Sequence, residues 1–436
     1  MDGSRIDRFS KIMAAASTRR TLARVLAMLP LAGAGGLLGE DAAARRKQHS
    51  GQRSRDGGVQ AEKKKPRIRV CLKGKTIRVP RRKMKRLKKK GATRGRCKDD
   101  DGGGGGGACT TADWSYTTKF GSKGTGDSEL TQPHGVAISP DGLTVWVADT
   151  INSRVVIWVR PDATSLAWTY SAQFGSQGTG DDNFDEPQGL AVSPDGLTAW
   201  VADVQNHRVM VWARPDASSP WAFSAQIGSG VAGSGNDSFD HPIGVAASED
   251  GLTVWVVDSY NHRVVVWVKS DASSPWEYSA QFGSFGAGDD NLNRPYGVSV
   301  SPDGRTVWVV DSFNRRVVVW TRPDADSTVW TFSTRFGSGS PDDGEFGQPQ
   351  GVAVLPDGLT AWVSDVAPTS TGVTIWTRPD ASSLDWTYGA RFGSKGSGNS
   401  EFSFPWFLAV LPDGQTVWVS DASNDRVVVW ARTCPA

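Results

Sequence analysis

Hydrophobic and polar positions alternate in short blocks along residues 114–434. One block, residues 187–228, reads PQGLAV, SPDG, TAWVAD, NHRVMVW, RPDASSP and WAFSAQIG in order, with linking residues between some of them. Val, Trp, Tyr and Phe favour strands, and Pro194-Asp195-Gly196 supplies the residues of a hairpin turn. The block is therefore predicted to hold four short strands and no helix, and six such blocks predict about 24 strands.

The second and third apolar runs of each block have no polar face. Val254–Val257 and Val264–Trp267 are apolar on both sides of the pleat. A sheet tolerates this pattern where other layers cover both of its faces. Blades stacked around an axis provide that cover, so the pattern predicts an all-β, six-bladed β-propeller.

Tryptophan and aspartate carry the same period. Eighteen of the 19 tryptophans fall into three sets of six, and Trp406 stands outside them. A period of this length is typical of a solenoid, a propeller or an array. The sets are Trp146, Trp200, Trp255, Trp308, Trp362 and Trp418; Trp158, Trp212, Trp267, Trp320, Trp376 and Trp430; and Trp114, Trp168, Trp221, Trp276, Trp330 and Trp386. The aspartates are Asp149, Asp203, Asp258, Asp311, Asp365 and Asp421, with steps of 54, 55, 53, 54 and 56.

The two ends of the repeat region complement each other. Trp114–Gly121 has the pattern of a fourth strand without the first three, and the last block stops at Val427–Trp430 without a fourth strand. We expect the N-terminal strand to complete the last blade, which closes the ring and leaves no long open edge. Cys109 and Cys434 lie just outside these strands, and we predict a disulfide between them. Closing a loop of roughly 325 residues is worth about 4 to 5 kcal/mol in the chain-entropy model.

The first residues have the pattern of an export signal. Thr18-Arg19-Arg20-Thr21-Leu22 precedes an apolar stretch up to Leu38, and Ala42-Ala43-Ala44 offers a small-residue cleavage site. The paired arginines resemble the twin-arginine signal, although Leu22 replaces the more usual Phe and Sec export stays open. We assign residues 1–44 to a signal peptide. Whether it is cleaved or retained as an anchor stays open, because the stretch is shorter than a full membrane span.

Residues 45–107 are predicted to be a basic tether that ends in a glycine-rich linker. Residues 1–109 hold 30 Lys and Arg against 9 Asp and Glu, a balance of +21, and residues 110–436 hold 19 against 37, a balance of −18. In an exported protein the basic residues 63–98 favour a cell-wall polyanion or an anionic lipid over nucleic acid. A contact with the protein's own acidic propeller is equally consistent with this charge.

A small two-cysteine module lies inside the tether. It runs from Cys71 to Cys97, and a disulfide between these residues is predicted for an oxidising compartment. Gly74-Lys75-Thr76 superficially matches the end of a phosphate-binding loop. That motif needs a glycine at position 69, which is Arg69 here, so the phosphate-loop reading is rejected.

Residues 114–434 resemble the NHL repeat family. The carrying motif is Pro-x-Gly-Val-Ala-x-Ser-Pro-Asp-Gly followed by V-W-V-x-D-x-x-N-x-R-V, and the resemblance implies a six-bladed β-propeller over residues 108–436. Blade five departs from the motif, because Asp365–Val373 has two extra residues and neither Asn nor Arg. This loop is a candidate contact or a neutral variation. The N-x-R pairs are Asn152/Arg154, Asn206/Arg208, Asn261/Arg263, Asn314/Arg316 and Asn424/Arg426.

Family membership leaves the activity open, because such propellers include lyases, sensors and scaffolds. A catalytic zinc needs three protein ligands, and His134, His207, His241 and His262 do not share one repeated position. We therefore interpret them as turn or surface residues. The repeated aspartate is interpreted as a turn-fixing residue. The loops 178–183 and 286–291 offer oxygen ligands for weak Ca²⁺ binding but lack a fixed bidentate glutamate. No Gly-x-Ser-x-Gly motif is present.

One position varies while its flanks repeat. The x residue of Pro-x-Gly is expected in the loop that enters each innermost strand, at the rim of the central channel. Such variety predicts an asymmetric ligand-binding surface with aromatic anchors. The six predicted ligand-binding residues are His134, Gln188, Ile243, Tyr296, Gln350 and Trp406.

These patterns predict an exported, monomeric, non-catalytic binding or scaffold protein of the bacterial cell surface. Its expected ligand is a protein, a peptide or a glycan, and no cofactor, catalytic residue, metal or nucleic acid is expected. The alternative is a metal-dependent lyase or hydrolase that uses the central channel, and a structural or adhesive envelope protein is a third class.

Overall fold

The computed structural model describes residues 67–72, 75–80, 93–94, 113–337, 346–367 and 371–432. The chain divides into two units, Met1–Gly103 and Gly104–Ala436. In the first unit, three antiparallel strands form one sheet in the order Lys75–Pro80, Arg67–Leu72, Thr93–Arg94. The predicted signal peptide and glycine linker lie outside the described residues, as does at least one cysteine of each predicted disulfide, so all of these stay predictions.

The second unit consists of six four-stranded antiparallel sheets, as its described residues show. The first strands are Pro133–Ile138, Pro187–Val192, Pro242–Ala247, Pro295–Val300, Pro349–Val354 and Pro405–Val410. The second are Thr144–Asp149, Thr198–Asp203, Thr253–Asp258, Thr306–Asp311, Thr360–Asp365 and Thr416–Asp421. The third are Arg154–Val159, Arg208–Ala213, Arg263–Val268, Arg316–Thr321, Gly372–Thr377 and Arg426–Arg432. The fourth are Thr169–Phe174, Ala222–Ile227, Glu277–Phe282, Thr331–Phe336 and Thr387–Phe392, with Trp114–Phe120 in the last blade.

The ring closes through the N-terminal strand. Trp114–Phe120 pairs antiparallel with Arg426–Arg432, and Tyr116 lies opposite Trp430. The first strands of neighbouring blades contact each other in sequence, and Pro405–Val410 contacts Pro133–Ile138. The predictions of a six-bladed propeller and of this closure are therefore confirmed.

Glycine lets the innermost strands pack backbone against backbone. A Cβ added to Gly135 would lie 2.2 Å from the Gln188 carbonyl oxygen of the next blade and 2.9 Å from Leu190 Cβ. The same approach recurs at Gly189, where a Cβ would lie 2.2 Å from the Ile243 carbonyl oxygen. A side chain at these positions would push neighbouring blades apart, which explains the glycine of the Pro-x-Gly motif.

Tryptophans fill the space between blades. Trp146 of blade one packs with Phe174, Phe184 and Trp212 in one buried cluster. The apolar surface of each such ring is worth roughly 5 kcal/mol of transfer free energy at about 25 cal/mol per Å². The arginine of the Arg-Pro-Asp motif covers the tryptophan of the third set. In blade one, Arg160 lies 5.1 Å from the centre of the Trp168 ring.

Short strands and turns complete the connections. Ser176–Gln177 pairs in parallel with Asn183–Phe184, and Ser394–Lys395 pairs with Glu401–Phe402. Three 3-10 turns, Thr150–Asn152, Ser312–Asn314 and Ala422–Asn424, link second to third strands. Within the described residues, no helix has the length and apolar character needed to cross a bilayer.

Candidate functional site

The candidate site lies at one end of the propeller. The strands of each blade are antiparallel. One end of the propeller therefore holds the turns between second and third strands, together with the connections that lead from each fourth strand to the first strand of the next blade. We call this end the upper face. The connections between third and fourth strands lie at the opposite end, the lower face.

The six predicted ligand residues lie at the start of the innermost strands, near the upper face. Each is the second residue of its strand. The loop assignment is therefore wrong: the Pro-x-Gly segment bends into the strand through a register irregularity at its start, as between Pro133 and Val136. His134, Gln188, Ile243, Tyr296 and Gln350 are buried, and Trp406 is half-buried. These side chains fill the mouth of the channel, and their role in ligand binding stays a prediction.

Three of these residues form a stack across the channel mouth. The Trp406 ring lies 4.1 Å from His134, centre to centre, with an interplanar angle of 5°. On the other side, Tyr296 lies 5.9 Å from Trp406 at 19°. Phe404 also stacks on Trp406 at 5.0 Å. The stack joins blades four, six and one, so the mouth is aromatic on one side only.

The stack continues outward over blades three and four. Phe313 meets Tyr296 edge to face at 6.4 Å. The Arg294 guanidinium lies 4.3 Å from the ring centre of Tyr260 and 5.5 Å from that of Phe313. His241 stacks on Tyr260 at 4.0 Å. We call this run the aromatic strip; its members are His241, Tyr260, Arg294, Phe313, Tyr296, Trp406 and His134.

Burial controls the charge of the strip at the channel mouth. Burial lowers the pKa of His134 to about 3, and the side chain of Gln188 opposes this only in part, so the imidazole is neutral at pH 7. Burial likewise raises the pKa of Tyr296 to about 12. The strip therefore carries one permanent positive charge, on Arg294.

Several polar atoms at the channel mouth have no hydrogen-bond partner among the described protein atoms. They are His134 Nδ1, Gln188 Oε1, Gln350 Oε1 and Trp406 Nε1. Buried polar groups are normally satisfied by protein, water or ligand. The channel mouth therefore combines aromatic faces with polar atoms that a solvent molecule or a ligand can contact.

A second group of polar residues lies between blades two and three on the upper face. His241 Nδ1 is 2.7 Å from Asp240 Oδ1, and His207 Nδ1 is 3.8 Å from the same oxygen. The ligand atoms of these three residues all lie within 4.8 Å of one another. Burial, followed by the neighbouring His241, lowers the pKa of His207, and Asp240 opposes the shift. The sequence separates His207 from the adjacent pair Asp240 and His241, whereas the blade packing brings all three together.

A buried network holds the loops of the upper face. In blade two, Asp203 Oδ2 accepts hydrogen bonds from Arg208 Nε at 2.8 Å and from Asn206 Nδ2 at 2.9 Å. Asp203 Oδ1 accepts one from the Asp185 N–H at 2.7 Å. Burial raises the pKa of Asp203, and these bonds oppose the shift. The turn-fixing role predicted for the repeated aspartate is confirmed.

The same arginines face the loops that were predicted as weak Ca²⁺ sites. Arg208 Nη2 donates to the carbonyl oxygens of Gly180 at 2.7 Å and Asn183 at 3.1 Å. Arg316 Nη2 makes the matching bonds to Gly288 and Asn291. The carbonyl oxygens of these loops therefore point at a cation of the protein itself.

Blade five holds its repeated aspartate through a different set of contacts. Gly372 stands where the other blades have arginine, and Asp365 Oδ1 accepts the N–H groups of Gly347 at 2.9 Å and Gln348 at 2.8 Å. Arg391 Nη2 lies 3.4 Å from Asp365 Oδ2. The contact predicted for the loop of this blade includes residues outside the described part and stays a prediction.

Two serines that sequence reasoning missed tie neighbouring blades together at the channel. Ser420 Oγ donates to the His134 carbonyl oxygen at 2.5 Å, and Ser364 Oγ donates to that of Trp406. In turn they accept the N–H groups of Phe407 and Gly351. These serines are visible in the sequence as a departure from the repeat, because blades five and six read W-V-S-D where the others have Ala or Val before the aspartate.

Comparison with known proteins agrees with this architecture. Residues 130–158, 184–212 and 239–267 match the family described as NHL repeat. Each of these segments runs from the connection before a first strand to the third strand of blades one, two and three. No curated protein sequence matches the chain.

Several solved structures are similar to this chain. The periplasmic gluconolactonase of Pseudomonas aeruginosa is 18% identical, with 73% of this chain and 92% of that chain covered and a TM-score of 0.50. A protein from Lactobacillus plantarum is 16% identical, with 72% and 91% covered and a TM-score of 0.49. Hydrazine synthase of Kuenenia stuttgartiensis is 18% identical, with 71% and 98% covered and a TM-score of 0.46. At these identities the likeness concerns the fold alone.

Proposed function

We propose that this protein is an exported, non-catalytic binding propeller of the bacterial cell surface, and that it recognises a protein, peptide or glycan on its upper face. The aromatic strip is the observation that carries this proposal. It runs without a break from His241 to His134, through the contacts described above. Large aromatic rings beside an arginine are the residues that contribute most to binding energy at protein surfaces.

The strip combines buried support with exposed contact surface. Phe313 is 42% exposed, whereas Tyr296 below it is 8% exposed. A further aromatic residue of the same face, Phe285, is 70% exposed and lies 4.8 Å from the His262 ring. Rings fixed by their neighbours lose little conformational entropy when a ligand binds, which favours a preorganised binding surface.

Export is the second part of the proposal. The paired arginines and the apolar stretch up to Leu38 support it, together with a basic segment suited to an anionic envelope surface. Replacing Arg19 and Arg20 by Lys tests the route. We expect the variant to stay in the cytoplasm in a twin-arginine-competent host, and unchanged export would show that another route is used.

The binding experiment uses the full chain as bait on a glycan array and in peptide phage display. Each ligand found is then measured by calorimetry against wild type, Phe313→Ala, Arg294→Gln and Leu384→Ala. Arg294→Gln is well tolerated by the backbone, because Gln132 occupies the equivalent left-handed position with φ 50°. Leu384 is the matched control: it is 55% exposed but lies in a connection of the lower face.

We expect the Phe313 and Arg294 variants to bind at least 10-fold more weakly and the Leu384 variant to bind like wild type. Equal affinity for all four proteins would place the ligand elsewhere and contradict the proposal. Ligand samples after incubation are also analysed by mass spectrometry, and steady conversion of the ligand would overturn the non-catalytic part.

A further inference from the structure

We propose that His207, Asp240 and His241 form a binding site for one divalent transition-metal ion of the Zn²⁺ class, on the upper face between blades two and three. The site shares His241 with the aromatic strip, but it does not rest on the proposed function. Two imidazoles and one carboxylate are ligands that suit Zn²⁺, Ni²⁺, Cu²⁺ and Fe²⁺.

The distances between the donor atoms suit such an ion. Metal bonds of about 2.1 Å in a tetrahedral site place neighbouring donors about 3.4 Å apart. Here Asp240 Oδ1 is 2.7 Å from His241 Nδ1 and 3.8 Å from His207 Nδ1, one value on each side of that spacing. The donor atoms of all three residues lie within 4.8 Å of one another, so small side-chain rotations bring them to metal-binding distance.

The backbone conformation fixes the positions of the two histidines. His207 has φ 51° and His241 has φ 53°, so both lie in left-handed turns. The His241 ring is also held flat against Tyr260 at 4.0 Å and 16°. Ligands positioned by packing and turns need little reorganisation when a metal binds.

The site is open on its outer side. The side chains of His207, His241 and Asp240 are 19%, 25% and 34% exposed. Solvent therefore reaches the donors, and a water molecule can complete the coordination of the ion, as in metal sites with three protein ligands.

One existing hydrogen bond competes with the metal. The His241 N–H donates to His207 Nδ1 at 3.3 Å. This distance exceeds the usual 2.9 to 3.0 Å of an N–H···N or N–H···O bond, so the bond is a weak one. A metal ion bound at His207 Nδ1 replaces this weak bond.

The neighbouring blade provides an internal control. His262 occupies the position equivalent to His207, and its Nδ1 accepts the Arg294 N–H at 3.0 Å. Asn293 and Arg294 stand there in place of Asp240 and His241. The turn of blade two therefore has all three ligand residues, whereas the equivalent turn of blade three has only His262, next to Arg294.

The test measures Zn²⁺ binding by calorimetry and elemental analysis on the full chain, without a histidine tag and with the thiols blocked by alkylation. The variants are His207→Asn, Asp240→Asn, His241→Gln and the control His262→Asn. The substitutions at 240 and 241 copy residues that equivalent positions already hold, Asn293 and Gln132. Asn is also a residue that tolerates the left-handed turn at 207.

We expect close to one Zn²⁺ per chain at this site in wild type. The variants at 207, 240 and 241 should each weaken it at least 10-fold, and His262→Asn should leave it unchanged. Tryptophan fluorescence and thermal unfolding check that the variants are folded. If one of them does not fold, His241→Arg is used in its place, because Arg294 already holds the equivalent position in the next blade. Binding that survives the changes at 207 and 241, an equal loss in the His262 variant, or no Zn²⁺ binding by wild type overturns the proposal.

Discussion

His134 makes the stability of the propeller depend on pH. Its ring is buried and stacks on Trp406, and the side chain of Gln188 opposes the effect of burial on its pKa only in part. Neither neighbour carries charge. The substitution His134→Gln removes the titrating group, and the fold already accommodates glutamine at this position in blades two and five, at Gln188 and Gln350.

The size of the effect follows from the two pKa values. The folded-state pKa of His134 is about 3, against 6.5 for an unperturbed histidine. The unfolded chain therefore binds the proton first, so the stabilising contribution is complete above pH 6.5 and is lost as the pH falls toward 3. At 1.36 kcal/mol per pH unit, the loss between pH 6.5 and 5 is about 2 kcal/mol.

The assay is denaturant unfolding, followed by tryptophan fluorescence at pH 7.5 and 5.0. We expect the wild-type free energy of unfolding to fall between these pH values by about 2 kcal/mol more than that of His134→Gln. His207 and His262, whose pKa values burial also lowers, are present in both proteins and cancel. Trp406→Phe is the control, because it changes the same stack but keeps the imidazole. Equal pH dependence of wild type and His134→Gln would refute the reasoning.

Three further changes test the scaffold. Arg208→Met should lower the free energy of unfolding by about 3 to 5 kcal/mol, because it leaves the buried carboxylate of Asp203 without its cation. Arg335→Met breaks only the exposed ion pair with Asp289 and should cost less than about 1 kcal/mol; equal losses in denaturant unfolding would contradict this. Gly135→Ala should cost about 3 kcal/mol or more, or prevent folding, because its Cβ would meet the Gln188 carbonyl oxygen at 2.2 Å; an unchanged melting temperature would be inconsistent with the tight inner ring. Deletion of Trp114–Phe120 should leave the last blade with an open edge and produce aggregates in size-exclusion chromatography, and a monomeric, stable product would show that closure is dispensable.

Much of the fold could be predicted because it is built from local patterns. The strand runs, the Pro-Asp-Gly turns and the spacing of the tryptophans each depend on residues close in the chain. The closing strand could also be predicted, because Trp114–Phe120 repeats the pattern that the last block lacks. Repetition made each signal visible six times.

The candidate site was harder to predict. The variable position of Pro-x-Gly marked six residues of the channel mouth, but its pattern did not show that five of them are buried. Tyr260 and Arg294 gave no repeated signal, because side-chain stacking on the upper face joins residues of different blades. The serines before Asp365 and Asp421 were visible as departures from the motif, but only the blade packing shows what they bind.

Blade number, strand order and ring closure could be predicted from the chain, because they follow from periodic local preferences for strand and turn. Which side chains meet depends instead on how the blades pack. This packing placed His134 of the first blade on Trp406 of the last and set His207 beside Asp240 and His241 across a blade boundary. It also turned carbonyl oxygens of the loops 178–183 and 286–291 toward arginines. The physical reason is that ring closure and blade twist set these distances, and neither is encoded in any single repeat.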